Sequence, residues 1–352
     1  MTEVKRYGFL DIAKGLGILS VVWAHIMLVG WSHKIIYAFH MPLFFFIAGM
    51  FFAKEKYPSF GPFVKKKFHR LLIPYFVYAI LSWLLWVCFQ FLGNGHGVDI
   101  WRSFLQIFIC QGSGRFLVFN SALWFIPCLF LVEVLYYYIS RLNDLLNFLL
   151  TILLAVLSFK LGRLWGNEYW LSPFWNFDAV LIALPFYGVG NLLTKIVPAN
   201  KMEEWVDTHR FLSLFVWAVS FALLAFLSMR YGECSMGSSS YQCKESIFMI
   251  RAFIGIAAMV FFSLFIERVG RSWGKECLVT CLGGIRWLGK NSLDVMCLHV
   301  PIKGVVAILI AKVLRTTVTH ISSSYLLSGA VFLITVSVSI LIIIVINKRF
   351  RK

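Results

Sequence analysis

Apolar residues recur along this chain in runs of about 20, separated by short polar and basic stretches, as expected for helices that cross a hydrocarbon layer roughly 30 Å thick. Runs of that kind lie at 9–30, 34–53, 71–92, 121–140, 144–160, 177–197, 211–229, 246–266, 288–312 and 323–346. The segment 100–110 (IWRSFLQIFIC) is too short to span and is expected to lie along the interface. The run from Phe9 to Val29 has the position of a secretory leader. It holds Lys14 and His25, lacks a small-x-small cleavage site and is followed at once by another apolar run, so it reads as a true span. No internal repeat, low-complexity linker or soluble appendage interrupts the pattern. The expectation is one all-α, polytopic membrane domain over residues 1–352 with about ten transmembrane helices.

Composition strengthens that reading. Hydrophobic residues make up 60% of the chain and charged residues 14%, against roughly 45–50% and 25% in soluble domains. The 35 Phe and 13 Trp suit lipid-facing helices and interfacial anchors. A net charge of +17 raises the question of nucleic acid. The basic residues, however, sit in short clusters between apolar runs, which is how topology is encoded. There is no Gly-rich phosphate loop, no paired CxxC and no basic helix interleaved with stacking aromatics. Membrane lipids, not nucleic acid, are the expected surroundings.

Ten spans put both ends on one side. With the N-terminus in the cytoplasm, 21 of the 33 Lys and Arg fall on the cytoplasmic face and 9 on the other, leaving Lys14, Arg251 and Lys303 inside spans. That excess predicts cytoplasmic termini. Most of the eight Cys lie in apolar runs, where they act as small hydrophobes. Cys234 and Cys243 instead close a short polar loop, 231–245, on the outer face. A disulfide in an oxidising compartment and two free thiols both remain open.

Ionisable groups inside a bilayer are costly and usually face a bundle interior or a watery cavity. The first span, DIAKGLGILSVVWAH, carries Asp11, Lys14 and His25. Eleven residues at 100° each return Lys14 and His25 to within about 20° of one face, roughly 16 Å apart along the axis. Asp11, three residues before Lys14, shares that side, and Gly15 and Gly17 leave room for a neighbouring helix. Either Lys14 snorkels and His25 bonds across helices, or one face is polar at two depths for a purpose. His40 enters the second span at the depth of His25 from the same surface, beside Pro42, so the two imidazoles fit one site; a structural interhelical bond is the other reading.

In KKKFHRLLIPY, Lys67 and Arg70 lie three apart at the cytoplasmic boundary. They fit either a grip on a phosphorylated ligand or a topology signal on anionic headgroups. The stretch LGKNSLDVMCLHVPIKG sets Asn291, Ser292, Asp294, His299 and Lys303 in thirteen residues around Pro301, as a cavity lining or an interhelical hydrogen-bond seam. Arg251 and Trp124 sit at span entrances, where snorkelling and anchoring are ordinary.

A neutral buried imidazole can take the proton of a hydroxyl as its oxygen attacks a carbonyl. Inner cations suit a phosphorylated acyl donor such as acyl-CoA, and an outer imidazole suits an acceptor from the outer leaflet or beyond. The residues alone leave open a proton-coupled transporter or glycan flippase, although paired broken helices in repeats, expected of such transporters, are not found. A glycan polymerase would more often show a large outer loop; the longest outer segment here is 93–120.

Several stretches in order resemble the acyltransferase 3 family of membrane O-acyltransferases, particularly its fucose 4-O-acetylase-like branch. DIAKGLGILSVVWAH resembles the opening motif, a basic residue and a His, matched by Lys14 and His25. FHMPLFFFIAGMFF is similar to the second helix of that branch, KFHRLLIPY to its basic-x-x-Arg motif with Lys67 and Arg70, ALWFIPCLFLVE to its Trp-Phe signature, and LGKNSLDVMCLHVPI to its late Ser…His-x-Pro stretch. The resemblance implies a bacterial inner-membrane O-acetyltransferase with no bound cofactor or metal. Acetyl-CoA or another acyl-CoA would be the donor, and a glycan or lipid-linked glycan of an O-antigen, capsule or exopolysaccharide the acceptor. His25 would be the general base, helped by His40. Asp11, Lys14, Lys67, Arg70, Trp124, Asn291, Ser292 and His299 would bind substrates. Lys67 departs from the Arg common at its place, a point charge without the guanidinium fork, and Asp294 is an unusual acid in the late motif.

Overall fold

The computed structural model describes residues 7–28, 30–91, 99–111, 117–164, 174–237, 240–241, 243–273 and 276–350. Lys5, Arg6, Arg115, Lys275, Arg351 and Lys352, used in the charge count, lie outside the described residues. The fold is all-α, with ten helices or helix pairs among the described residues long and apolar enough to cross a membrane. In chain order the helices are α1 (Gly8–Ile26), α2 (Trp31–Tyr37), α3 (His40–Met50), α4 (Phe60–Lys67), α5 (Ile73–Phe91), α6 (Ile100–Ile109), α7 (Phe125–Ile139), α8 (Asp144–Leu164), α9 (Phe177–Ile196), α10 (Ala199–Thr208), α11 (Arg210–Arg230), α12 (Glu245–Trp273), α13 (Glu276–Lys290), α14 (Ser292–Val313), α15 (Val318–Ser323) and α16 (Tyr325–Phe350). One small antiparallel pairing, β1 (Cys234–Ser235) with β2 (Ser240–Tyr241), lies in the loop before α12.

Three boundaries differ from the sequence expectation, and proline accounts for two. The second span is broken at Ala38–Phe39 into α2 and α3. Pro42 has no N–H for the Ala38 carbonyl, but in the first turn of a new helix that N–H would have no partner anyway. His40 therefore stands at a helix start inside the bundle. The third span begins at Phe60, well before residue 71, because α4 runs into α5 through a π-turn, Phe68–Leu72, just ahead of Pro74. The ninth span begins at Ser292, and the preceding 15 residues form a separate helix, α13. That segment carries charges and paired glycines and reads as a loop, yet it packs along the first half of α1.

The bundle sorts into a core and a rim. The α2–α3 and α7 windows are each 78% buried, against 17% for α11 and 22% for α16. Burial in the core comes from backbone approach rather than from large side chains alone. A Cβ on Gly49 would overlap the Tyr187 carbonyl and one on Gly190 the Phe46 carbonyl, so α3 and α9 touch main chain to main chain. Gly15 lies likewise against the Ile285 carbonyl and Gly289 against that of Asp11, which locks α13 onto α1. Small residues at such contacts gain close van der Waals packing where lipid supplies no hydrophobic drive.

Asn347 near the end of α16 donates to Asn291 Oδ1 at 3.3 Å, two residues from the Gly289–Asp11 contact. The start of α1 and the end of α16 thus share one end of the bundle. By the charge asymmetry this end is called inner below, and the end holding His25 outer.

Candidate active site

Two groups of polar side chains stand at opposite ends of α1. At the outer end a cavity of about 340 Å³ is lined by His25, Tyr37, His40, Trp124, Glu233 and Lys303, among others. Each element delivers its group for a local reason. His25 occupies the last turn of α1. His40 starts α3, and its Nδ1–H donates to the Ile36 carbonyl at 2.8 Å, which leaves Nε2 as the nitrogen with a free lone pair. Lys303 follows Pro301 on α14, and its Nζ donates to the backbone carbonyl of His25 at 2.5 Å.

His299 lies behind His25, ring centroids 5.0 Å apart and tilted 55°. It is fully buried, donates Nδ1–H to the Val295 carbonyl at 3.1 Å, and has no partner at Nε2 among the described residues. Pro301 leaves the Cys297 carbonyl without its helical donor, and Asn120 Nδ2 fills that place at 2.7 Å while also reaching Ser82 Oγ at 3.1 Å. This ties α14 to the turn Ser121–Trp124, whose Ser121 and Trp124 line the cavity.

The roof is the loop before α12. Cys234 and Cys243 form a disulfide. The buried Arg251 donates to the Gly232 carbonyl at 3.2 Å and faces both sulfurs at 3.2 and 2.9 Å, so its role is to hold this loop. Asn176 Nδ2 donates to the Gly237 carbonyl at 2.9 Å, and Gly237 sits against the indole nitrogen of Trp124 with no room for a Cβ. Glu233 on this loop accepts from His33 Nδ1 at 3.0 Å. His33 packs on Tyr37 at 4.1 Å between centroids, and Tyr37 on His40 at 5.0 Å. Two further cavities adjoin: one of about 490 Å³ between α5 and α14 shares Ser121 and Lys303, and one of about 350 Å³ beside α15 shares His25 and Lys303.

The inner group is built differently. Lys14 pairs with Asp11 at 2.7 Å. Lys67 pairs with Glu133 at 2.6 Å, both buried, and lies 5.8 and 5.7 Å from the ring centroids of Tyr57 and Phe63. Arg70, beyond the start of the π-turn, is exposed, so the two basic residues of KFHR do not present one face. Asn291 donates to the Trp287 carbonyl at 2.8 Å, Ser292 starts α14, and buried Asp294 accepts from Tyr78 Oη at 2.9 Å. None of the three outer cavities is lined by Asp11, Lys14, Lys67, Arg70, Asn291 or Ser292.

The structure thus brings His25, His40 and Trp124 into one cavity, with His299 behind, and leaves the other candidates at the inner end. Sequence reasoning set Lys303 in a polar stretch that lines a cavity or forms a hydrogen-bond seam but gave it no role in the site, and it missed Glu233. The signal for Lys303 is its place four residues after His299 on one helix face; that for Glu233 is an acid beside a cysteine in the outer loop.

Comparison with known families now has geometry to meet. The family model of the acyltransferase domain matches residues 7–347, nearly the whole chain. This chain belongs to the acyltransferase 3 family. No curated protein and no solved structure matches it. The acyltransferase is a multi-pass membrane protein, and its matched domain takes in both polar groups, the outer cavity and the inner paired charges.

Proposed function

We propose that this acyltransferase is a bacterial inner-membrane O-acetyltransferase, which moves an acetyl group from cytoplasmic acetyl-CoA to a hydroxyl of a cell-surface glycan. The observation that carries the reading is the outer cavity, where two imidazoles from consecutive spans and an ammonium group meet beside a tryptophan face. A sugar packs its C–H face on such an indole and offers hydroxyls to the rim. His25, whose ring has no hydrogen-bond partner among the described residues, takes the hydroxyl proton as the sugar oxygen attacks the thioester carbonyl. His40 Nε2 is the second nitrogen open to the same space.

The CoA phosphates are held at the inner face, where Arg70 is exposed among the flanking Lys65 and Lys66. Lys67 and Lys14 act there through the carboxylates that already hold them. The acceptor in this reading is a sugar of an O-antigen, capsule or exopolysaccharide, a class that the resemblance of the motifs to the fucose 4-O-acetylase-like branch supports.

The test is mass spectrometry of surface polysaccharide from a deletion strain complemented with wild type or His25→Ala. Wild type restores an acetyl increment of about 42 Da and the variant does not. Normal acetylation by His25→Ala at normal protein level rejects the role of the imidazole.

A further inference from the structure

The other buried or half-buried lysines of the span interiors have carboxylate partners: Lys14 has Asp11 and Lys67 has Glu133. Lys303 has none among the described residues. The carboxylate nearest to it in function, Glu233 of the same cavity, is engaged by His33. Lys303 Nζ instead donates to a neutral carbonyl, that of His25, at 2.5 Å. An ammonium carries three N–H groups, and a backbone oxygen uses one. A cation inside a membrane without a counter-ion is expensive to keep, and such groups mark functional sites. Lys303 is also the residue at which all three outer cavities meet.

We propose that Lys303 is a catalytic residue of the acyl transfer, the donor that stabilises the negative charge on the carbonyl oxygen. The proposal rests on the acetyl-transfer reading above and extends it. The acceptor hydroxyl gives its proton to His25 while its oxygen forms a C–O bond to the thioester carbon. The carbonyl π pair moves to oxygen, which becomes an oxyanion. Lys303 N–H donates to that oxygen. Collapse re-forms the C=O bond and breaks the C–S bond, and the leaving thiolate takes the proton back from His25. Anchoring Nζ on the main chain of the base fixes the ammonium relative to the imidazole before substrate arrives, and such preorganisation makes an oxyanion donor effective.

The experiment compares full-length wild type, Lys303→Met, Lys303→Gln, Lys303→Arg and His25→Ala in lipid nanodiscs. The acceptor is unacetylated surface polysaccharide from a deletion strain, and turnover is read by release of the CoA thiol. Lys303→Met is expected to lower kcat by about a hundred- to a thousandfold, with a much smaller change in acceptor KM and an unchanged thermal shift by acetyl-CoA. Lys303→Arg, which keeps cationic N–H donors, is expected to recover part of kcat. If Lys303→Met does not fold, Lys303→Gln carries the same test with nearly the same side-chain length and no charge. A wild-type kcat in the neutral variants, or a raised acceptor KM with kcat intact, overturns the proposal. If wild type itself releases no CoA thiol, the acetyl-transfer reading fails rather than this extension of it, whereas normal turnover by His25→Ala rejects only the imidazole as base.

Discussion

The inner and outer ends of α1 solve the same problem, a charge or an imidazole in an apolar bundle, in opposite ways. At the inner end Lys14 and Lys67 each meet a carboxylate within 2.7 Å, and α13 is pressed against the helix so closely that Gly15 and Gly289 have no room for side chains. At the outer end two imidazoles and an ammonium group line open space, and one further imidazole nitrogen is buried with no partner among the described residues. Polar groups left unsatisfied in an interior cost stability, and at the outer end that cost falls on an imidazole nitrogen, His299 Nε2, beside the cavity. The comparison teaches that position in a motif does not by itself separate the two. Lys14 and His25 belong to one helix face and to two kinds of environment.

The sharpest way to break this contrast is to unpair the inner end. Glu133→Leu leaves Lys67 buried without a counter-ion and should lower stability by about 3–5 kcal/mol, whereas Lys67→Met with Glu133→Leu should recover most of it. Thermal unfolding in one detergent reads both, and an equal loss in single and double variants would remove the pairing from the account. Next in size is the roof. Cys234→Ser opens the loop closed by Cys243 and should cost about 2–4 kcal/mol, seen as a lower Tm that wild type reproduces on reduction.

Asn120→Leu should cost about 1–3 kcal/mol, because the carbonyl of Cys297 loses its donor beside Pro301. Hydrogen exchange of α14 then rises around residue 301 if the bond matters. The smallest effect is expected at Gly304, where an added Cβ meets nothing within 4 Å. Gly304→Leu should leave stability within about 1 kcal/mol of wild type while narrowing two of the three cavities that meet at Lys303, so a fall in transfer without a fall in Tm would sharpen the division between the ends.

Much of the architecture was written in the hydrophobic pattern, because a run of about 20 apolar residues has few fates in a chain this apolar. The ten spans follow from it. The helix α13 was not legible, since ECLVTCLGGIRWLGK has the charges and paired glycines of a connecting loop, and its reason to be helical is the groove that Gly15 offers on another helix. The break at Ala38–Phe39 was signalled by Pro42 but not located by it. At the site, periodicity within α1 put His25 on a polar face, and matched depth put His40 near it. What no local pattern could supply is a contact between distant parts of the chain: Glu133 on Lys67, 66 residues away, and Lys303 on the His25 carbonyl, 278 residues away.

One consequence remains in the bond that Asn120 makes to the carbonyl freed by Pro301. The Pro301 turn of α14 and the turn bearing Ser121 and Trp124 are bolted together at that point. Any flexing of α14 that shifts Lys303 must then drag the tryptophan platform with it, so the rim that would grip a sugar and the ammonium that would meet its reaction partner travel as a single lever.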